Sequence, residues 1–324
     1  MKHCFVINPA AGSGKEQETL LPRIMNAAKK WGADYEIHRT SGPGEAITYA
    51  CNRLAENKNK KEIIRFYSCG GDGTASEILN GIYGAKNAEL AIIPAGSGND
   101  YIRNFGDKDC FCDILALIAG TASPVDVIKY TFMPLKKGES EEVTSYAINM
   151  INMGFDAKVV RHMEKLKNKF FFKGTGAYVA GVVIELAGYK MSHAIFRPEG
   201  EEAIETDLLL AGVGSGRFSG GGFDGIPVAE VNDGLLDLMI IKPLTRGRFI
   251  KLVGKYHDGK HIGNPEMADI VLLYRTKKVE IEPASPLVFT ADGELNFTAK
   301  SVTISVAPEK VNFVIPDGIE NPEK

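Results

Sequence analysis

The hydrophobic and polar positions of this chain form two different patterns, which meet near Val125. In residues 1–125, short apolar runs of strand type alternate with longer segments in which apolar residues recur at helical spacing. Such alternation predicts a parallel sheet covered by helices. The predicted strands are Lys2–Ile7, Ala33–His38, Glu62–Tyr67 and Glu89–Ile93, and the predicted helices are Lys15–Trp31, Glu45–Asn57, a helix from Thr74, and Asp113–Ala119.

After Val125 the pattern changes to short β-rich runs separated by turn signals. These runs are Val143–Ile151, Ser192–Phe196, Asp207–Val213, Leu235–Ile241, Val279–Ile281, Leu287–Ala291 and Ser301–Val306. They predict a mainly antiparallel β domain, a sandwich or an open barrel, with inserted helices around 157–187 and 246–256.

The change of pattern predicts two domains. We expect an α/β nucleotide-binding domain over residues 1–125 and a β-sandwich domain, which would hold the substrate, over residues 126–306. The tail 307–324 contains a further predicted strand, Val311–Ile315, and is a candidate to return to the first domain.

Composition narrows the class of protein. The 324 residues are 44% hydrophobic and 24% charged with a net charge of −3, which is typical of a soluble globular protein and gives no sign of nucleic-acid binding. The five cysteines form no regular framework, which predicts reduced thiols in the cytoplasm. No uninterrupted apolar run approaches the roughly 18 residues of a membrane span.

The most informative stretch is a glycine-rich turn, Gly70-Gly71-Asp72-Gly73-Thr74, between a predicted strand and a predicted helix. Glycines let a backbone approach a ligand closely, and a helix N-terminus favours an anion. A carboxylate inside such a turn would repel a phosphate unless a cation lay between them. The turn therefore predicts a nucleotide phosphate site with a metal ion near Asp72.

Two other turns follow predicted strands. The Asn8–Lys15 turn does not match a P-loop, because Pro9 and Glu16 stand where that motif needs Gly and Ser or Thr. It is either a nucleotide-contacting turn or a plain connection. The Pro94–Asp100 turn is either a second phosphate turn or a helix N-cap formed by Asn99 or Asp100. Because ligands bind at the carboxyl ends of parallel strands, we expect all three turns at one edge of the sheet.

Six motifs in order resemble the diacylglycerol kinase catalytic family, which also includes sphingosine and ceramide kinases and the bacterial lipid kinases. The motifs are Asn8-Pro9, Gly70–Thr74, Pro94–Asp100, Asn152–Asp156, Asn232–Asp237 and Asp292-Gly293-Glu294. The resemblance spans residues 3 to about 306 and favours the soluble bacterial branch. Gly70–Thr74 alone is also found in NAD kinases.

The resemblance implies the two-domain lipid kinase fold, with ATP between an α/β domain and a β-sandwich domain. It implies nucleotide contacts from Asn8, Thr40, Gly70, Gly71, Asp72, Gly73, Thr74 and Ser97. It implies a Mg²⁺ ion at Asp72, supported through water by Asp100 and Asp126, and it implies that Glu294 is the general base. It further implies a structural Mg²⁺ held by Glu230, Asp233 and Leu235, with backbone oxygens from the first and last.

The predicted function is ATP-dependent phosphorylation of a lipid hydroxyl, with diacylglycerol converted to phosphatidic acid. Two alternatives stay open: an NAD kinase-like phosphotransferase and a non-catalytic regulator that binds lipid or nucleotide. The Gly96-Ser97-Gly98-Asn99-Asp100 stretch looks more like the sphingosine and ceramide branch, which leaves the lipid open.

Partners follow from the same resemblance. A lipid substrate implies a cytoplasmic protein with peripheral membrane association, and a homodimer stays open. The basic segment Lys158–Lys173 is either an amphipathic helix that docks on anionic lipid or an ordinary helix that packs on the core.

Overall fold

The computed structural model describes residues 1–12, 16–58, 62–96, 98–135, 141–155, 157–159, 191–293 and 295–319. Ser97, Glu294 and residues 160–187 of the predicted 157–187 helix, with nearly all of its basic segment, lie outside the described residues. The chain divides into two compact units, which are residues 1–127 with 308–324 (unit 1) and residues 128–307 (unit 2).

Unit 1 is an α/β layer structure. Its elements are β1 (Lys2–Ile7), α1 (Glu16–Trp31), β2 (Asp34–Arg39), α2 (Glu45–Asn57), β3 (Ile64–Gly70), α3 (Asp72–Ile82), β4 (Ala88–Pro94), two 3-10 helices (Tyr101–Phe105 and Lys108–Cys112), α4 (Ile114–Ala119), β5 (Thr121–Val125) and β20 (Val311–Ile315). The sheet order is β2-β1-β3-β4-β20-β5. All neighbours are parallel except β5, which is antiparallel to β20.

The central strands of this sheet are buried along their whole length. All seven residues of β3 are buried, as are most residues of β1 and β4. Such continuous burial is typical of a parallel sheet covered on both faces, and the predicted class of the first domain is confirmed. β3 extends beyond the predicted Tyr67 because Ser68, Cys69 and Gly70 continue the register with β4. α3 begins at Asp72, two residues before the predicted Thr74.

Unit 2 is built from antiparallel strands. Its elements are β6 (Ile128–Phe132), β7 (Val143–Ala147), β8 (Met150–Gly154), β9 (Ser192–Pro198), β10 (Ile204–Leu208), β11 (Leu210–Gly214), β12 (Phe218–Ser219), β13 (Phe223–Asp224), β14 (Leu236–Ile241), α5 (Arg246–His257), β15 (Val271–Thr276), β16 (Lys278–Pro283), β17 (Leu287–Ala291), β18 (Leu295–Ala299) and β19 (Val302–Val306). One sheet has the order β10-β9-β16-β19-β6-β7, the second β15-β14-β11-β8-β17-β18, and β12 and β13 form a short pair.

The two large sheets of unit 2 share one hydrophobic core. Phe196 and Ile281 from the first sheet belong to the same buried cluster as Leu238 and Phe289 from the second. Burial of each such side chain contributes about 1.5–3 kcal/mol, so this shared layer is the main stabilising contact of the unit. The structure therefore selects the sandwich over the open barrel.

Two predicted runs each proved to be two strands. Val143–Ile151 separates into β7 and β8, and Asp207–Val213 separates into β10 and β11. In both cases the chain leaves one sheet and enters the other. The apolar pattern continues across the change because both strands face the same core. None of the helices in the described part of the chain has the length together with the apolar character that a bilayer span requires.

His3 in β1 is a buried titratable group. Its Nδ1 lies 2.7 Å from the hydroxyl of Tyr67, and the residue is 4% exposed. Burial, together with the nearby Arg65 guanidinium, lowers the pKa of His3 from 6.5 to about 4. Between pH 6.5 and about 4, His3 is therefore protonated in the unfolded chain and neutral in the folded chain. The free energy of unfolding consequently decreases as the pH falls from 6.5 towards 4.

We expect unit 1 to lose about 2 kcal/mol of unfolding free energy between pH 7 and pH 5 through this group. His3→Gln should remove most of that loss. Urea unfolding followed by the fluorescence of Trp31, which is the single tryptophan and lies in unit 1, measures it. The control is His193→Gln, because the pKa of the exposed His193 is raised by Asp207 and Glu205 and its loss cannot relieve acid sensitivity. An unchanged pH dependence in His3→Gln would contradict the assignment.

Candidate functional site

Four loops meet at the carboxyl edge of the unit 1 sheet. β2, β1, β3 and β4 are parallel neighbours, so the loops that follow them lie side by side. These loops begin at Thr40, Asn8, Gly71 and Ala95. The backbone N–H of Thr40 donates to the Ile7 carbonyl at 2.9 Å, which ties the first two together. The expected gathering of the three glycine-rich turns is confirmed, and Thr40 joins them.

Asn8 links the first turn to the start of α3. Its Nδ2 donates to Thr74 Oγ1 at 3.1 Å, and its Oδ1 accepts the Ala10 N–H at 2.9 Å. A Cβ on Gly70 would lie 2.5 Å from Thr74 Oγ1 and 3.4 Å from the Asn8 Cβ. Position 70 therefore needs glycine because Asn8 and Thr74 approach each other across it.

The carboxylate of Asp72 joins the second turn to the third. Asp72 is the first residue of α3, and its Oδ2 accepts the Asn99 N–H at 2.7 Å while its Oδ1 accepts the Asp100 N–H at 3.1 Å. Hydrogen bonds to an ionised carboxylate are among the stronger ones in proteins. Asp72 therefore has a structural task in addition to the metal contact that the family resemblance implies.

Asn99 makes the second connection between these turns. It is 1% exposed and adopts a left-handed backbone with φ 51°. Its Oδ1 accepts the Gly96 N–H at 3.0 Å, and its Nδ2 donates to the Gly70 carbonyl at 3.0 Å. The sequence presented Asn99 only as a candidate N-cap. Asparagine among glycines is the signal that marks it, since Asn adopts positive φ more readily than most residues.

The two turns touch through glycines. A Cβ on Gly96 would lie 2.4 Å from the Gly71 Cα, and a Cβ on Gly98 would lie 2.8 Å from Asp72 Oδ2 and 3.6 Å from Asp100 Oδ2. The carboxylates of Asp72 and Asp100 thus flank a single point. Mg²⁺ is commonly bound by one or two carboxylates plus substrate phosphates, so this pair fits such an ion. Among the described residues, no cluster of three or more His, Cys, Asp or Glu side chains could hold a metal without ligands from a substrate phosphate.

Glu77 positions the loop that carries Thr40. From α3, its Oε1 accepts the Gly44 N–H at 2.8 Å and its Oε2 accepts the Ala46 N–H at 3.2 Å, at the N-terminus of α2. This contact satisfies donors that a helix start leaves without intrahelical partners. Sequence reasoning missed Glu77, because nothing in its local pattern shows that α3 packs beside the beginning of α2.

Asp126 lies away from Asp72 and Asp100. It follows β5, whose last residue, Val125, pairs with Val311 at the start of β20. β20 is parallel to β4, so Asp126 lies at the amino edge of the sheet, opposite the glycine-rich turns. Its buried carboxylate lies 3.1 Å from Lys310 Nζ. The structure thus does not bring Asp126 to the other two carboxylates, and an ammonium group of the chain neutralises its charge.

In unit 2, Asp292 holds the turn that carries the predicted base. Its carboxylate accepts the N–H groups of Ile148, Asn149 and Met150 at 3.0, 2.9 and 3.1 Å. Burial raises the pKa of Asp292, and the three amide bonds act in the opposite direction. Asp292 itself has φ 49°, and Gly293 has φ 73°. Glu294 follows directly and lies outside the described residues.

The predicted structural metal loop is also in unit 2. Asp233 Oδ1 accepts the Leu235 N–H at 3.0 Å, and its Oδ2 lies 3.5 Å from Arg275 Nη1. Glu230 is exposed, three residues before Asp233. Asp233, the side-chain ligand of the implied metal set, is thus bonded to the N–H of Leu235 and paired with Arg275.

Two family models match consecutive parts of the chain. A model of the diacylglycerol kinase catalytic domain matches residues 2–130. A model described as the YegS C-terminal NAD kinase beta sandwich-like domain matches residues 149–315, which is more than half of the chain.

Relatives are similar over most of their length. A protein of Alcanivorax borkumensis named "Probable lipid kinase YegS-like" is 29% identical over 279 residues, which cover 84% of this chain and 85% of that protein. A protein of the same name from Pseudomonas aeruginosa PAO1 is 28% identical over 298 residues, covering 90% and 88%. The likeness therefore extends through both units.

Solved structures share the fold. A crystal structure titled as a diacylglycerol kinase of Bacillus anthracis strain Sterne covers 98% of both chains with a TM-score of 0.66 and 21% identity. The yeast NADH kinase complexed with NADH covers 98% of this chain and 84% of that one, with a TM-score of 0.51 and 8% identity. At these identities the likeness shows the fold alone, and it confirms the predicted two-domain class.

Gly96→Ala tests the close approach of the turns. The new Cβ would overlap the Gly71 backbone, so we expect unit 1 to lose more than about 2 kcal/mol of unfolding free energy, as measured by Trp31 fluorescence. Calorimetric titration should also show weaker ATP binding. Gly254→Ala is the control, because this exposed helical glycine of unit 2 has no atom within 4 Å, so the change should leave the Trp31 transition and ATP binding as in wild type. Wild-type stability and ATP affinity in Gly96→Ala would contradict the contact.

Proposed function

Because the chain belongs to the YegS-like lipid kinase family, we propose that it transfers the γ-phosphoryl group of ATP to the hydroxyl of a lipid, with diacylglycerol as acceptor and phosphatidic acid as product. The observation that carries this proposal is the linkage of Asp72 to Asn99 and Asp100. It joins two glycine-rich turns at the edge of the sheet where parallel α/β proteins bind their ligands.

Nucleotide binding is assigned to the joined turns. Backbone N–H groups of Gly71, Asp72 and Gly73 and the N-terminal dipole of α3 favour phosphate oxygens. Asn8, Thr40 and Ser97 supply polar groups from the adjoining loops. Phosphoryl transfer depends mainly on the positioning of the reactants and on charge neutralisation. The hydrogen bonds of Asn99 to Gly96 and Gly70 hold the two turns in place, and the turns would in turn position the phosphates.

Metal binding is assigned to Asp72 and Asp100, whose carboxylates flank Gly98. A bound Mg²⁺ would supply neutralisation of the phosphate charge. Asp72 would hold the ion through the lone pairs that its bonds to Asn99 and Asp100 leave available. Asp126 is not included, since it lies at the other edge of the sheet next to Lys310.

Activation of the acceptor is assigned to Glu294. Its carboxylate would accept the hydroxyl proton while the hydroxyl oxygen bonds to the γ-phosphorus and the bond from that phosphorus to the β,γ-bridging oxygen breaks, releasing ADP. A general base of this kind contributes roughly 10²–10⁴ in rate. Asp292 supports the assignment, because its three amide bonds fix the turn immediately before Glu294.

An NAD kinase-like reaction is the second candidate. The fold is shared with a yeast NADH kinase, and the Gly70–Thr74 turn alone suits both reactions. The Asn232–Asp237 and Asp292–Glu294 motifs favour the lipid acceptor.

A membrane lipid as acceptor would also require the protein to associate peripherally with a bilayer.

A substrate panel tests the proposal. The full chain is incubated with labelled ATP, MgCl₂ and either vesicles containing diacylglycerol, sphingosine or ceramide, or NAD. We expect label in phosphatidic acid. Glu294→Gln should reduce transfer by about 10²-fold or more while ATP still binds, because the base is lost but the nucleotide turns are intact. Label only in NADP, or full activity in Glu294→Gln, would overturn the assignment.

Asp72→Asn tests the metal. The amide oxygen can still accept one backbone N–H, but the charge is gone, so Mg-ATP affinity should fall by about tenfold, or 1.4 kcal/mol. Asp113→Asn is the matched control, since Asp113 also accepts two backbone N–H groups at a helix start, from Leu115 and Ala116. Calorimetric titration with Mg-ATP measures both. Equal affinity in Asp72→Asn and wild type would refute a metal at Asp72.

A further inference from the structure

The loop before β14 is acidic, and the family resemblance implies a structural Mg²⁺ there, held by Glu230, Asp233 and Leu235. We propose that the guanidinium of Arg275 is the resident cation of this loop, so that unit 2 folds without a divalent metal at this position. The inference does not depend on the reaction that the protein catalyses.

The pairing of Arg275 with Asp237 is set by the sheet. The two residues are direct cross-strand partners of β15 and β14. Arg275 Nε donates to Asp237 Oδ1 at 3.1 Å, and Nη2 donates to Oδ2 at 3.3 Å. Asp237 is 2% exposed, so its charge needs a partner within the protein. The two-pronged contact is the geometry that arginine provides and lysine does not.

The same guanidinium reaches the loop itself. Nη1 lies 3.5 Å from Asp233 Oδ2, and Nη2 also donates to the Val228 carbonyl at 2.9 Å. Arg275 thus bonds to a buried strand residue and to both ends of the loop at once, which five N–H donors in one plane permit. A structural metal would have the same task of tying the loop to the sheet.

The implied metal ligands do not fit an ion beside this group. Asp233 is the one carboxylate whose side chain the implied set uses, and its Oδ1 accepts the Leu235 N–H while leaving the metal contact to Oδ2. Its Oδ2 faces Arg275, whose positive charge would repel a Mg²⁺ that requires oxygen ligands at about 2.0–2.1 Å. A guanidinium stays charged at every physiological pH, so this repulsion is constant.

The surroundings add a second positive group. A cavity of about 600 Å³ beside the loop has Arg275 and Arg217 in its wall, together with Glu230 and Asp237. Arg217 forms its own ion pair with Asp224 at 2.6 Å. Asp237 and Asp224 are therefore each paired with a guanidinium of the chain, and both arginines place positive charge within the acidic surroundings of the loop.

Metal binding by the nucleotide-free full chain tests the proposal. Mn²⁺ binding is followed by electron paramagnetic resonance in wild type, Asp233→Asn and Asp72→Asn, the last to identify any ion at the glycine-rich turns. We expect Asp233→Asn to bind as much Mn²⁺ as wild type. The melting temperature of wild type in EDTA should equal that in a choline chloride solution of the same ionic strength, which controls for the added salt. Saturable Mn²⁺ binding that Asp233→Asn removes would overturn the proposal.

Arg275→Gln tests the cation. Because a buried carboxylate loses its partner, calorimetry should show the melting temperature of unit 2 falling by about 5–10 °C. Arg248→Gln is the matched control, since Arg248 forms a two-pronged pair with the exposed Asp269, and its loss should cost no more than about 2–4 °C. Equal effects of the two variants would contradict the role of Arg275. The Mn²⁺ comparison of wild type with Asp233→Asn decides the proposal even if Arg275→Gln fails to fold.

Discussion

The candidate site of unit 1 depends on one carboxylate. Asp72 accepts the backbone N–H groups of Asn99 and Asp100, and thereby holds the turn after β4 against the turn after β3. The contact is close enough that Gly96 and Gly98 leave no space for a Cβ. Without it, the turns would be joined only by uncharged hydrogen bonds such as that from Asn99 Nδ2 to the Gly70 carbonyl.

Unit 2 uses the same physical device. Asp292 accepts three backbone N–H groups from Ile148–Met150, and the residue that follows Gly293 is the proposed base. In both motifs the aspartate stabilises an irregular loop, because an ionised carboxylate can accept hydrogen bonds from several backbone N–H groups. Such a loop has no helix or sheet hydrogen bonds of its own to provide partners for these groups. Acidic residues that sequence motifs mark as catalytic or metal-binding therefore also hold the backbone of the loops that carry the proposed site.

Buried carboxylates elsewhere are balanced by cations of the chain itself. Lys310 neutralises Asp126, and Arg275 neutralises Asp237. In each pair the partners are distant in sequence and are brought together by neighbouring strands. Asp126 belongs to the implied metal set, and its position at the other edge of the sheet leaves Asp72 and Asp100 as the proposed metal carboxylates. Asp100 Oδ1 also lies 3.4 Å from Arg103 Nε, and Asp237 adjoins the loop of the implied structural metal without belonging to its ligand set.

The sequence by itself determined the two patterns, the parallel and antiparallel classes, and the gathering of the glycine-rich turns. The patterns are local, since a period of two or 3.6 residues needs no distant partner, and parallel strands place the turns that follow them at one edge of the sheet in any strand order. Only the tertiary structure decided the sandwich, the edge at which Asp126 lies, the bridging role of Asn99 and the pairing of Arg275. Each of these depends on which strands are neighbours and in which direction they run, and a single strand has the same apolar pattern in either direction.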